Sequence, residues 1–245
     1  MRLLSWNILA GGGSRCAPIL EVLRRYDPDI IALQETMPGR ATDLCHVLAR
    51  AGYAYRCGAP LGAHDRGQCV LSRIPFTRVA GPRPPHARGY PRGWLEIELA
   101  GHGLRLAAVW GPPEGRAIPA FWDAAAAWLV RRADRPFVML GDFNAGASLV
   151  DAEDYRFRSG RAFATLAGIG LVDLWRREHG DTREHTWFSR PGVSRTGRGF
   201  RIDHAFASRA VAERVAGCRY DHEVRERGWS DHSLLVVDVE QGLAQ

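Results

Sequence analysis

Lysine is absent from this chain, and all 33 of its basic residues are arginine. Acid is missing locally as well: residues 66–95 hold six arginines and residues 190–201 hold four, with no Asp or Glu in either stretch. With a net charge of +6, such a balance favours polyanions, and arginine grips phosphate oxygens two at a time. No window approaches the roughly 18 continuous apolar residues of a membrane span. The N-terminal apolar run stops at Ser5-Trp6-Asn7, too early for a signal peptide. The five cysteines (Cys16, Cys45, Cys57, Cys69 and Cys218) show no CxxC spacing and are odd in number. Neither a zinc site nor a disulfide framework is indicated, and the expectation is a reduced, cytoplasmic chain.

What is present is an ordinary globular composition, 46 % hydrophobic and 24 % charged, over 245 residues. The length suits one domain spanning residues 1–245, and no linker or repeat interrupts it. Apolar runs and turn residues predict strands near 3–8, 30–33, 53–57, 68–72, 94–99, 104–110, 137–141, 186–188, 200–207, 218–224 and 234–239. Helices are expected at 16–25, capped by Ser14, and at 38–51, 117–132, 159–167 and 208–215. Gly101-His102-Gly103 reads as a hairpin turn, and the Pro/Gly-rich residues 81–93 as a loop. Strands in hairpin runs with helices between them point to an α/β (α+β) domain of two packed sheets with helices outside.

Strand ends carry the chemistry. In Gly141-Asp142-Phe143-Asn144, a carboxylate and an amide emerge together at the tip of a buried strand, with Phe143 packing opposite. Asn7, Glu35, Asp203, Asp231 and His232 stand at comparable places. Singly, each reads as a cap or a surface pair. Jointly they supply what metal-assisted phosphoester hydrolysis needs. Glu35 and Asp231 offer hard oxygens suited to Mg²⁺ or Mn²⁺. Asp142 and Asn144 can hold a nucleophilic water. His232 can accept or donate a proton, with Asp203 fixing its tautomer.

Five segments in this order, Ser5-Trp6-Asn7-Ile8, Leu33-Gln34-Glu35, Gly141-Asp142-Phe143-Asn144-Ala145, Arg201-Ile202-Asp203 and Ser230-Asp231-His232, resemble the endonuclease/exonuclease/phosphatase superfamily. The resemblance spans nearly the whole chain. It implies a four-layer αββα sandwich, two packed mixed β-sheets flanked by helices, with a divalent-metal site and hydrolysis of phosphodiesters or phosphomonoesters. Carried over piece by piece, Glu35 is the main metal ligand with Asn7 and Asp231 nearby. Asp142 and Asn144 position water or phosphate, and His232 with Asp203 is the catalytic pair.

The C-terminal third resembles the exonuclease III and abasic-site endonuclease branch, where aromatics form a pocket for an extruded sugar. Trp187, Phe188 and Phe200 match those places, although core packing is an equal reading for Trp187 and the favoured one for Phe188. Two departures stand out. Trp110 occupies a position that is tyrosine in that branch, and an indole cannot transfer a proton as a phenol does. About 25 residues separate Asn144 from Gly170, a shorter stretch than the duplex-gripping insert of the repair enzymes. The leading expectation is a metal-dependent nuclease acting on DNA, with Arg88, Arg92, Arg195 and Arg198 tracking the backbone and no obligate protein partner. The alternatives are the same chemistry on a phospholipid head group or other small phosphoester, and a binding protein on a decayed enzyme scaffold.

Overall fold

The computed structural model describes residues 1–37, 40–58, 66–82, 93–113, 115, 117–131, 135–189 and 197–240. The strands are β1 (Arg2–Asn7), β2 (Ile30–Thr36), β3 (Tyr55–Gly58), β4 (Gly67–Ser72), β5 (Phe76–Val79), β6 (Trp94–Leu99), β7 (Arg105–Trp110), β8 (Phe137–Asp142), β9 (Leu171–Asp173), β10 (Trp187–Phe188), β11 (Gly199–Phe200), β12 (Asp203–Ser208), β13 (Val215–Asp221) and β14 (Leu234–Val239). The helices are α1 (Cys16–Tyr26), α2 (Arg40–Arg50), α3 (Ala117–Val130), α4 (Gly160–Gly168), α5 (Leu174–His179), α6 (Arg209–Ala212) and α7 (Glu223–Glu226). Among the described residues no helix is long and apolar enough to cross a membrane.

Two six-stranded sheets form, ordered β13-β14-β1-β2-β4-β3 and β5-β6-β7-β8-β12-β9, with β10 and β11 as a separate hairpin. Each sheet is mixed, with one parallel pair at its centre: β1 beside β2, and β7 beside β8. A helix joins each pair, α1 in the first sheet and α3 in the second. Period-two alternation sorts the apolar residues into layers. Leu3, Ile30, Leu106, Val138, Leu140, Ala205 and Val237 meet between the sheets. Their neighbours Leu4, Ile31 and Leu33 turn outward under α1 and α2. On the other side Ala107, Val109, Phe137 and Met139 lie under α3 and α4. The result is the four-layer αββα sandwich. Burying each Leu, Ile or Phe this way contributes about 1.5–3 kcal/mol, so the alternation fixes register firmly.

The same alternation places polar residues. Asn7 continues the inter-sheet row of Leu3, Asp142 that of Val138 and Leu140, and Asp203 that of Ala205. Trp110 continues the row of Leu106 and Ala108. The core therefore ends in a polar rim at the carboxyl ends of β1 and β8 and at the start of β12. Ligands of α/β sheets collect at such an edge.

Several elements depart from expectation. α1 is entered through a 3₁₀ turn at Gly13–Arg15 with no side-chain cap, so Ser14 does not cap it. The strand expected at 200–207 is broken at Arg201-Ile202 into β11 and β12. Edge strand β5, which has two exposed residues, and short α5, capped by the Asp173 carboxylate on Arg176 N–H, had no clear periodic signal. Most of the proline-rich loop at 81–93 lies outside the described residues.

Candidate active site

β1 runs into an unusual turn. Leu9, Ala10, Gly11, Gly12 and Gly13 all have positive φ, from 49° to 75°. This left-handed run costs strain at Leu9 and Ala10 but turns successive N–H groups toward two side chains. Leu9 N donates to Asn7 Oδ1 at 3.0 Å, and Ala10 N to Glu35 Oε2 at 2.9 Å. Gly11 N donates to the Glu35 carbonyl at 2.7 Å. Glu35 itself is the extra residue of a bulge, because Gln34 pairs with Gln68 while Thr36 pairs with Gly67. Regular pleating would send Glu35 outward with Ile31 and Leu33. The bulge and a φ of 58° re-aim it into the site. Arg66 Nη1 closes on Glu35 Oε2 at 2.7 Å.

β8 ends tightly. Gly141 lies against β7 so closely that a Cβ there would overlap the Val109 carbonyl oxygen, and its φ of 154° disfavours any side chain. Asp142 follows, 1 % exposed. Its carboxylate accepts from Asn7 Nδ2 at 3.0 Å, from Asn144 N at 3.0 Å and from Asn144 Nδ2 at 3.3 Å. Asn144 Nδ2 also donates to the Gly111 carbonyl at 2.9 Å. Asn144 reaches the face of Asp142 through a left-handed backbone, φ 46°, rather than by strand alternation. Phe143 is buried on the helix side against Trp122 and Phe206, as expected.

His232 precedes β14 and is buried. Trp6 Nε1 donates to its carbonyl, and its own N–H donates to Ser230 Oγ, which in turn donates to the Asn7 carbonyl. Its Nδ1 donates to both Asp203 oxygens, at 3.0 and 3.2 Å. Nε2 points the other way, 3.5 Å from Asn7 Nδ2 and 3.9 Å from Asp142 Oδ2. Burial alone would lower the His232 pKa, but the Asp203 and Asp142 carboxylates outweigh it and push it up to about 10. Asp142 is raised to about 7, chiefly by burial, with Asp203 adding to the rise and His232 opposing it. The imidazole is therefore charged near neutral pH, which selects the donor role from the two considered for it.

Glu35, Asp142, Asn144, Asp231 and His232 border a cleft of about 570 Å³ that also takes in Trp110, Pro113, Trp187 and Arg66, with Asn7 and Asp203 bonded to its walls from behind. Trp187 Nε1 donates to Asp231 Oδ2 at 3.1 Å, while Asp231 Oδ1 is buried with no hydrogen-bond partner among the described residues. All seven polar residues read from the sequence thus converge, as do Trp110 and Trp187. Phe200 is not among the described lining residues. It packs on Tyr155 and Phe157, with its ring 5.7 Å from that of Trp187. Phe188 is also not among the described lining residues; it is 38 % exposed and lies under the Arg225 guanidinium. Arg198 lies over the Tyr155 ring, 5.8 Å from its centroid. Arg88, Arg92 and Arg195 lie outside the described residues.

The second arginine run needs a correction. Arg201 does not reach toward a polyanion. It is fully buried, with Nε on Asp151 at 2.7 Å and Nη2 on Asp173 at 2.5 Å. Desolvation forbids an unpaired guanidinium there, so acids distant in sequence neutralise it. Sequence reasoning also left Arg66 inside a general charge run. Its place just before the strand beside that of Glu35 was the available signal.

Two donor sets can be drawn for a divalent cation. Ligand atoms of Asp142, Asp203 and His232 lie within 4.8 Å of one another. In that trio the imidazole already faces two carboxylates and is hydrogen-bonded to one of them, Asp203. Glu35 and Asp231 offer hard carboxylate oxygens beside Asn7, and Asp231 Oδ1 is an acceptor with no hydrogen-bond donor among the described residues. The second set fits a magnesium-like ion better.

Two stacked mixed sheets with this cluster at their polar rim make an αββα sandwich with a candidate hydrolytic site at one edge. The family model of the Endonuclease/Exonuclease/phosphatase family matches residues 4–232, and the chain belongs to that family. Three solved structures are similar. An AP endonuclease from Archaeoglobus fulgidus is 20 % identical with a TM-score of 0.79, over 98 % of this chain and 99 % of that one. The 3′ phosphatase NExo from Neisseria, bound to a product DNA hairpin, is 23 % identical with a TM-score of 0.79, over 98 % and 99 %. The 3′-5′ exonuclease NExo from Neisseria meningitidis is 23 % identical with a TM-score of 0.77, over 98 % and 100 %. At these identities the likeness is one of fold.

Proposed function

We propose that the protein is a divalent-metal-dependent phosphodiesterase, a nuclease acting on DNA, working as a single domain. The observation that carries this reading is the Asp203–His232 pair facing Asp142 across Asn7, at a cleft that also holds Glu35 and Asp231. Glu35, Asn7 and Asp231 would hold Mg²⁺ or Mn²⁺. Such an ion supplies Lewis-acid stabilisation of charge on phosphoryl oxygens. His232, whose pKa the Asp203 and Asp142 carboxylates raise, donates from Nε2 to a phosphoryl oxygen while Asp203 holds Nδ1. Asp142, with a pKa near 7, accepts the proton of a water attacking in line. Asn144, whose amide donates to Gly111 and Asp142, fixes the base in place. DNA is supported by the basic balance of the chain and by the DNA hairpin in the similar NExo structure.

A second reading, removal of phosphate from a small or terminal phosphoester, is favoured by the cleft wall at Trp110 and Pro113. Incubation with Mg²⁺ and a panel separates the two. The panel holds duplex DNA with an abasic site, plain duplex, single strand, RNA, a 3′-phosphate terminus and phosphatidylinositol phosphates. Cleavage of DNA strands is expected, with affinity falling steeply as salt rises. Turnover of the lipids alone would sink the nuclease reading. Glu35→Gln should weaken Mn²⁺ binding in calorimetry and lower turnover at least about 100-fold. Unchanged Mn²⁺ affinity would remove Glu35 from the metal site.

A further inference from the structure

Thr186 is completely buried and hydrogen-bonds the Asp203 backbone and the residue that follows His232. Its hydroxyl oxygen accepts from Ile202 N at 3.1 Å and from Asp203 N at 3.2 Å. The hydroxyl hydrogen faces the Phe200 carbonyl, 3.5 Å away, which also accepts Thr186 N at 2.8 Å. The Thr186 carbonyl accepts from Ser233 N at 2.9 Å, one residue past His232. Trp187 forms an isolated bridge with His232 itself.

This contact falls at the break between β11 and β12. There Arg201 turns inward to Asp151 and Asp173, and its N–H goes to the Asp151 carbonyl. The backbone that resumes at Ile202-Asp203 brings two buried N–H groups to the hydroxyl. A buried donor without an acceptor is costly, so the chain settles where the hydroxyl can take both. One bond from the second of these nitrogens is the Cα that carries the Asp203 carboxylate.

We propose that Thr186 is a positioning residue: its hydroxyl sets the Asp203 backbone and its carbonyl sets the His232 segment, so that carboxylate and imidazole meet in register. The proposal rests on the hydrolytic reading above. It requires a hydroxyl specifically, because valine fills the same volume but accepts nothing.

The test uses the full chain carrying Thr186→Val, Thr186→Ser and Thr186→Cys. A displacement of about 1 Å at a reacting group costs on the order of 100-fold. Thr186→Val is therefore expected to lower kcat about 100-fold with KM and Mn²⁺ affinity little changed. Thr186→Ser should recover kcat to within about threefold. Thr186→Cys, the same shape as Ser with a weak acceptor, should stay low. In proton NMR of the metal-free protein, the His232 Nδ1–H signal held by Asp203 should shift or vanish in Val and persist in Ser. Full kcat in Val with that signal unchanged overturns the proposal, as does a Ser variant as slow as Val. If Val fails to fold by circular dichroism, the Ser–Cys contrast decides, and equal kcat and equal spectra in those two overturn it. If the wild type hydrolyses no phosphoester while the NMR contrast appears, the positioning stands and the hydrolytic reading falls.

Discussion

His204 should make the fold acid-sensitive in a way that one substitution removes. The side chain is fully buried among Phe143, Phe163 and Phe206, whose ring centroids lie 5.2, 4.8 and 6.0 Å from its own. Nε2 donates to the Ala145 carbonyl at 2.8 Å, which leaves Nδ1 as an acceptor with no partner among the described residues. Asp173 lies 3.9 Å from Nδ1 and would favour a charged ring. Burial and the nearby Arg201 win instead, lowering the pKa from 6.5 to about 4. The native state holds this ring neutral while the unfolded chain protonates it. Its contribution to stability is complete above pH 6.5 and is lost as pH falls from 6.5 through 4. Between pH 7.5 and 4.5 that amounts to about 2–3 kcal/mol, at roughly 1.36 kcal/mol per pKa unit. Asp142 and His232, both raised, run the other way, their contributions present at low pH and lost as pH rises. A difference experiment cancels them. Denaturant unfolding of the wild type and His204→Phe at the two pH values is expected to show the wild type losing about 2–3 kcal/mol relative to the variant on acidification. The lost bond to Ala145 is independent of pH and drops out. A wild-type-minus-variant difference that stays flat within about 0.5 kcal/mol refutes the assignment of a neutral, pH-linked core histidine.

Removing Arg201 should be far worse than removing a surface arginine. Arg201→Met takes the guanidinium from half-buried Asp173 and leaves buried Asp151 with Arg176 alone, and should cost about 3 kcal/mol, read as a fall in thermal midpoint, whereas a loss under 1 kcal/mol would mean that the network relaxes freely. Ala10→Gly relieves a left-handed alanine, φ 52°, while keeping the N–H that serves Glu35. A gain of roughly 0.5–1 kcal/mol is expected, about 2 °C in Tm, and a lower Tm would show that the turn is not strained.

The sequence was most legible where one period or one motif carried the information. Apolar runs and turn residues pointed to two packed sheets with helices outside, the motif resemblance implied the four-layer sandwich, and polar residues at strand ends gave Asp142, Asn144, Glu35 and His232 their shared location. It was least legible where the structure departs from its own period. Glu35 reaches the cleft only through a bulge and a positive φ, so regular pleating would have placed it outside. The strand expected through residues 200–207 breaks because Arg201 must find two acids, Asp151 and Asp173, far away in the chain. A local window sees an arginine in an acid-free run and reads a contact for a polyanion. Only the folded state reveals that the missing acids arrive from other elements. Thr186 was hidden for the same reason, since nothing beside it in sequence shows that its hydroxyl receives N–H groups from residues 202 and 203. Motifs record which groups react. The groups that hold them are set by where the chain stops being regular, and at this site the break between β11 and β12 is such a place.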